Sequence, residues 1–178
     1  MKKSILLPVI TLVVSIVILL TLTLSLNGVA QKNYQKTHLQ IMQTLLPKST
    51  NFILEEYTGD DANIKSVHKA ETGYIVETLV YGYADNIRMM IAVETDGTVV
   101  GIMVLEMYET FGLGLNALRD HKFLSQFLGS SEVVEVGDTI DSISGATVTS
   151  KAITKAVNSA VSFVTGADID SGPTEWGA

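Results

Sequence analysis

Hydrophobic and polar positions follow three patterns along this chain, and each change of pattern predicts an element. Residues 4–26, from Ser-Ile-Leu-Leu-Pro to Leu-Ser-Leu, form an uncharged run of mostly Leu, Ile, Val and Thr. From Gln31 to Leu45 the apolar residues Tyr34, Leu39, Met42 and Leu45 recur in near-helical register, and Pro47 marks a stop. Asn51 to Asp61 ends in the turn signal Gly59-Asp-Asp61 and reads as a loop or short helix. Ile64 to Ala70 is a first strand candidate, followed by a turn at Glu71-Thr-Gly73. The period then becomes two: Tyr74, Val76, Thr78 and Val80 alternate with Ile75, Glu77, Leu79 and Tyr81. Ile87 to Glu94 and Thr98 to Met107 flank Thr95-Asp96-Gly97, and Asp-Gly between two β-rich runs is a strong hairpin signal.

A helical period returns at Leu115 to Leu128, with Gly129 as its stop, and Glu132 to Val136 reads as a short strand before Gly137-Asp138. After residue 147 the period is helical again. Val148, Ala152, Ala156 and Ala160 repeat every four residues, with Ile153, Val157, Val161 and Val164 beside them. Lys151, Lys155, Asn158 and Ser162 take the other face. Strands in succession with helices segregated after them predict an α+β fold, an antiparallel meander flanked by helices. The division expected is an anchor over 1–30, a membrane-proximal helix and linker over 31–63, a domain over 64–167 and a polar tail over 168–178.

The uncharged run of 23 residues is long enough to span a bilayer with some tilt. Lys2 and Lys3 precede it, so the positive-inside rule places the N-terminus in the cytoplasm and the rest outside. A secretory signal cut after Ala30 is the rival reading; cleaved signals have apolar cores of only about 7–15 residues, which favours an uncleaved anchor. The chain has 12 basic and 19 acidic residues, and with Lys2 and Lys3 set aside the remainder carries about −9. That balance argues against nucleic acid and against an electrostatic grip on anionic lipid. With no cysteine, disulfides and thiolate-held metal or iron–sulfur centres are excluded. His38, His68 and His121 are scattered without ligand spacing, so no metal site is expected and any redox cofactor is organic. Neither a GxGxxG nor a GxSxG motif occurs.

Candidate chemistry concentrates in Asp141-Ser-Ile-Ser-Gly-Ala-Thr-Val-Thr-Ser150. A carboxylate, a glycine turn and the hydroxyls of Ser144, Thr147, Thr149 and Ser150 meet where a helix begins. A helix start offers unpaired N–H groups and the positive end of the dipole, which suit a phosphate, and Gly145 permits close approach. Local physics equally allows a plainer reading, with Ser144 as an N-cap and Gly145 as a turn residue.

Asp141-x-x-Ser144-Gly145-Ala146-Thr147 resembles the flavinylation motif of the FMN-binding domain family found in RnfG and NqrC. These are the covalent-flavin subunits of Rnf-type and Na+-translocating NADH:quinone reductase complexes. The resemblance implies that Thr147 carries FMN through a phosphoester placed by a dedicated flavin transferase; Thr149 and Ser150 are nearby hydroxyls outside the acceptor position. Glu109-Thr110-Phe111-Gly112-Leu113-Gly114 resembles the family's Glu-Thr-Pro-Gly-Leu-Gly segment, which lies against the flavin there; Phe111 replaces the proline. Tyr81-Gly82-Tyr83 is similar to a glycine-aromatic segment of the family, and is equally readable as two strand tyrosines around a bulge glycine. In order and spacing the resemblance covers residues 64–165 and the anchor.

What the resemblance implies is an electron-relay subunit with covalent FMN, working among integral membrane and redox subunits. The complex would couple ferredoxin/NAD electron transfer to Na+ or H+ translocation, with the flavin domain on the extracytoplasmic side of the cell membrane. This chain would not turn over substrate alone. Two alternatives stay open: a free-standing anchored flavin domain feeding an extracytoplasmic reductase, and a non-redox anchored binding module.

Overall fold

The computed structural model describes residues 2–109 and 121–169. It is α+β, and the chain divides into two compact units, residues 1–40 and 41–178. Helix α1, Lys2–Leu45, is continuous through the apolar run and the segment that follows it. By length and composition it is apolar enough to cross a membrane, with a mean hydropathy of 2.7 in its most apolar stretch. Several of its described hydroxyls are satisfied locally: Thr11 Oγ1 donates to Pro8 O, Ser15 to Thr11 O, and Thr21 to Val17 O and Ile18 O. Such back-bonding lets polar side chains sit in an apolar helix without unpaired groups.

Five strands form one antiparallel meander in chain order: β1 Ile53–Glu55, β2 Ile64–Lys69, β3 Gly73–Tyr81, β4 Asn86–Glu94 and β5 Val99–Met107. The hairpin at Thr95-Asp96-Gly97 is as expected, with Gly97 at φ 92° and Glu94 N donating to Thr98 O. The alternation read in β3 divides the sheet into two apolar faces. Val76 and Val80 join Ile87, Met89, Ile91 and Val93 of β4 on one face. Ile75 joins Met90 and Ala92 on the other, beneath Met42, Leu45 and Leu46 at the end of α1. That second face also buries Glu77, whose Oε1 accepts from Arg88 Nε at 2.5 Å and whose Oε2 accepts from Ser66 Oγ at 3.0 Å.

Two elements differ from the sequence reading. Residues 53–55, expected as loop or short helix, are an edge strand; Ile53 and Leu54 are both exposed, so no alternation announced it. Glu132 to Val136, expected as a strand, forms only a bridge between Val136 and Ile140. Its backbone bonds go to a side chain instead: Val134 N donates to Asn158 Oδ1 at 3.0 Å, and Asn158 Nδ2 donates to Val134 O at 2.8 Å. Asn158 therefore does not lie on a merely solvated face. Of the helix expected over 115–128, residues 115–120 lie outside the described residues. The remainder is α2, His121–Ser125, followed by tight turns to Gly129 at φ 83°.

Helix α3, Thr147–Thr165, packs on β3 and β4. Its sheet-facing residues Ala152, Ala156, Ser159 and Ala160 are small, so the helix sits close while Ile153, Val157 and Val161 fill the core. Each of those larger side chains contributes about 1.5–3 kcal/mol by burial. Gly166, at φ 73°, ends the helix and returns its N–H to Ser162 O.

The chain leaving α1 is tied to the β2–β3 turn by Glu71. This carboxylate accepts from Thr50 N at 3.2 Å, Thr50 Oγ1 at 3.1 Å and Asn51 N at 3.2 Å. Its own backbone amide first, then those of Asn51 and Thr50, hold its pKa below the usual glutamate value. A carboxyl depressed in the folded state stabilises it above the unfolded pKa, and that contribution is lost as pH falls through the lower folded value. The Thr50 and Asn51 amide resonances are therefore expected to titrate below the ordinary glutamate value of about 4.3, and Glu71→Gln removes that step. A pH titration by NMR reads both.

Candidate functional site

The helix start singled out from sequence is built by a turn. Ala146 N donates to Ile143 O at 2.9 Å, and Gly145, third of the four turn residues, has φ 76°. A positive φ at that position is what a type II turn asks of glycine. Ser144 is not the N-cap: Ala146 is, and no side chain caps the helix. The first turn of α3 thus presents its amides without a competing side-chain acceptor.

Burial separates the hydroxyls. Thr149 is 1% exposed and Ser150 0%, both turned toward the core. Thr147, on the stripe that continues through Lys151 and Lys155, is exposed, as are Ser144 and Asp141. Ser150 has a structural task, since its Oγ accepts from Ile143 N at 3.1 Å and donates to Ala146 O at 2.9 Å.

Sequence reasoning missed a second clamp on this loop. Gln126 Oε1 accepts from Asp141 N at 2.8 Å, and Gln126 Nε2 donates to Asp141 O at 3.2 Å. The side chain of Gln126 thus substitutes for a strand neighbour at the start of the motif, and only the tertiary fold could reveal it. Gln126→Ala is expected to cost about 1–2 kcal/mol locally, for two hydrogen bonds. Hydrogen exchange at the Asp141 amide should accelerate about tenfold, against unchanged exchange in β3.

Glu109 follows β5 and is 7% exposed. Its Oε1 accepts from Tyr83 N at 2.7 Å and Ala84 N at 3.3 Å, which fastens the β3–β4 turn to the end of β5. Gly82 packs closely here: a Cβ would fall 2.0 Å from Glu109 Oε1 and 2.9 Å from Ile87 Cδ1, so a side chain would make the ends of those two side chains move. The Tyr81–Tyr83 segment is thus the end of β3 and its turn, with Tyr81 and Tyr83 half-exposed, rather than a strand bulge. Glu109 Oε2 is buried without a hydrogen-bond partner among the described residues. Thr110, Phe111, Gly112, Leu113 and Gly114 lie outside the described residues.

These pieces share one end of the sheet. Thr165, at the end of α3, covers the β4–β5 turn, since a Cβ on Gly97 would meet its Cγ2 at 2.4 Å. The 19 residues of α3 extend about 27 Å, and the nine residues of β4 span about the same distance. The start of α3 therefore lies toward the opposite end, where β3 turns into β4 and β5 reaches Glu109. Glu109 is on the α3 side, because its carboxylate and the core residue Ile87 both crowd Gly82. An uncapped helix start with an exposed threonine fits a phosphate ester. A buried orphan acceptor fits the polar donors of a flavin.

Comparison with known proteins identifies the family. Residues 82–162 match the FMN-binding domain family. The chain is 31% identical over 141 residues to the G subunit of the ion-translocating oxidoreductase complex of Methanosarcina acetivorans, covering 70% of this chain and 73% of that one. It is 27% identical over 187 aligned positions to the G subunit of the ion-translocating oxidoreductase complex of Aliivibrio fischeri, covering 91% and 89%. It is 28% identical over 193 positions to the G subunit of the Na(+)-translocating ferredoxin:NAD(+) oxidoreductase complex of Acetobacterium woodii, covering 90% and 89%. The chain belongs to the family of FMN-binding-domain proteins that includes the G subunits of ion-translocating oxidoreductase complexes.

Proposed function

We propose that this chain is the G-type electron-relay subunit of a membrane complex that couples ferredoxin/NAD electron transfer to Na+ or H+ translocation, and that it carries FMN as a phosphoester on Thr147. The observation that carries the covalent site is burial: of Thr147, Thr149 and Ser150, Thr147 alone is exposed. Bound FMN supplies the redox chemistry, and the protein supplies binding, orientation and tuning. Thr147 Oγ1 would provide the ester oxygen in place of one hydroxyl of the FMN phosphate, with a flavin transferase as the maturation partner, and the uncapped first turn of α3 would present amides and the positive dipole end to that phosphate. The Ser144-Gly145-Ala146 turn brings the backbone close, and Ser150 and Gln126 hold that turn and Asp141 in place. Covalent attachment retains the cofactor where free FMN is dilute.

In this reading α1 anchors the chain in the bilayer through residues 1–30, its N-terminus is cytoplasmic, and the flavin domain is extracytoplasmic. Residues 31–63 link anchor and domain, residues 64–167 hold FMN, with Glu109 to Gly114 against it, and residues 168–178 form a tail. Integral membrane and redox subunits are its partners. The test is purification of the tagged chain from its own membranes, followed by denaturing electrophoresis under ultraviolet light. A fluorescent band of this chain, together with co-purified integral membrane subunits, is the expected result. Fluorescence without partners would favour a free-standing flavin domain, and no fluorescence would favour a non-redox anchored module.

A further inference from the structure

The acidic balance of this chain is made of two unlike parts. Residues 1–54 hold Lys2, Lys3, Lys32, Lys36 and Lys48 and no aspartate or glutamate, whereas residues 55–178 hold 7 basic residues against 19 acidic ones. Net charge speaks against a grip on anionic lipid for the domain, but for α1 the sign is reversed. Helix α1 continues unbroken past its apolar run. There Val29, Lys32 and Lys36 follow one another at three and four residues, so they share one face, and all three are exposed. Neither lysine is in an ion pair among the described residues. Like charges one turn apart destabilise a helix, and Gly28 lowers helix propensity just before them. An anionic surface along that face would offset both effects.

We propose that the Val29–Lys32–Lys36 face of α1 docks on the anionic lipid phosphates of the bilayer from which the helix emerges. The inference rests on the reading of α1 as an anchor. Lys32 and Lys36 lie about 9 and 15 Å along the helix beyond Leu26, the last residue of the uncharged run. The headgroup layer on each side of a bilayer is about 5–7 Å deep. Cα–Cβ bonds tilt toward the N-terminus of a helix, here the membrane side, so both long stems carry their ammonium groups back toward that layer. The run of 23 residues is longer than a hydrocarbon core of about 30 Å needs, so the helix tilts and one face leans on the headgroups. Val29 gives that face an apolar residue at the boundary, and Lys36 stands within a Debye length of about 8 Å of the charged layer. Continuity with the apolar run favours lipid over an acidic protein segment, because the helix carries both lysines straight out of the bilayer.

The test places the full-length chain in nanodiscs of phosphatidylcholine alone and of phosphatidylcholine mixed equally with phosphatidylglycerol, and reads hydrogen exchange at the amides of residues 31–40. In the mixed discs exchange should slow about ten- to thirtyfold relative to phosphatidylcholine, the scale of two lysines at an anionic surface. The Lys32→Gln/Lys36→Gln variant should show no difference between the two lipids, and Lys32→Arg/Lys36→Arg should keep it. Removing the like charges also changes the helix itself, so the ratio between lipids is compared and not the rate in either one. High salt should erase the parent's ratio, because it screens an exposed charge at the membrane surface. Equal exchange of the parent in both lipids would overturn the proposal and leave an acidic partner segment as the counter-charge of this face. A ratio that persists in the glutamine variant would overturn it as well. Insertion is read first: a chain that does not enter the discs defeats the anchor reading together with this one, whereas an inserted chain without lipid dependence defeats this one alone.

Discussion

Thr147→Ala is expected to abolish flavin attachment completely while leaving the fold intact. The parent, co-expressed with a flavin transferase, should gain the mass of one FMN less one water, and the variant should gain nothing. The expectation is all-or-none because no neighbouring hydroxyl can take over. Thr149 and Ser150 are 1% and 0% exposed, and Ser150 is engaged with Ile143 N and Ala146 O. Ser144 is exposed but lies in the turn before the helix, away from its first-turn amides. Stability should scarcely change: Thr147 makes no cap, and alanine is a strong helix former. A matched melting curve for Thr147→Ala separates loss of the acceptor from loss of the domain.

The second large effect is on stability. Phe127 is fully buried and meets Phe123 edge-on, with centroids 5.4 Å apart at 87°. Phe127→Ala removes a side chain from the centre of the core that joins α2, α3 and the sheet, at a cost of about 3–5 kcal/mol. For a unit of this size the melting temperature should fall on the order of 10 °C. The residue beside it, Gln126, clamps Asp141, so flavinylation should fall as well, through a loosened motif loop rather than a missing acceptor. Thermal melting in detergent, set beside intact mass, distinguishes this variant from Thr147→Ala. The first loses both stability and flavin, and the second loses flavin alone.

Much of this fold is legible in the residues, for identifiable reasons. β3 and β4 have buried faces on both sides of the sheet, so their apolar residues are dense, and the turns before β3 and after β4 carry Thr-Gly and Asp-Gly signals. Both strands are found where expected. α3 shows its faces equally well, since the stripe Thr147, Lys151 and Lys155 is the polar side of a helix whose other positions are small or apolar. Thr147 itself is reached only through the resemblance of Asp141 to Thr147 to the family motif, and its outward position is a finding of the structure. β1 was illegible because three residues are too few for a period and Ile53 and Leu54 bury nothing. Glu132 to Val136 has strand composition, but Asn158 captures its backbone from 24 residues away. The clamps of Gln126 on Asp141 and Glu109 on Tyr83 are likewise long-range side-chain-to-backbone bonds. Nothing in local composition announces such bonds, and here they set the shape of the candidate site.

The most direct test of the account is tandem mass spectrometry of the tryptic peptide spanning Phe123 to Lys151, from protein purified out of its own membranes. The account predicts one FMN phosphoester on this peptide, with fragment ions that place it on Thr147. An unmodified peptide, despite an active flavin transferase in the host, or an adduct on Ser144, Thr149 or Ser150, would contradict it.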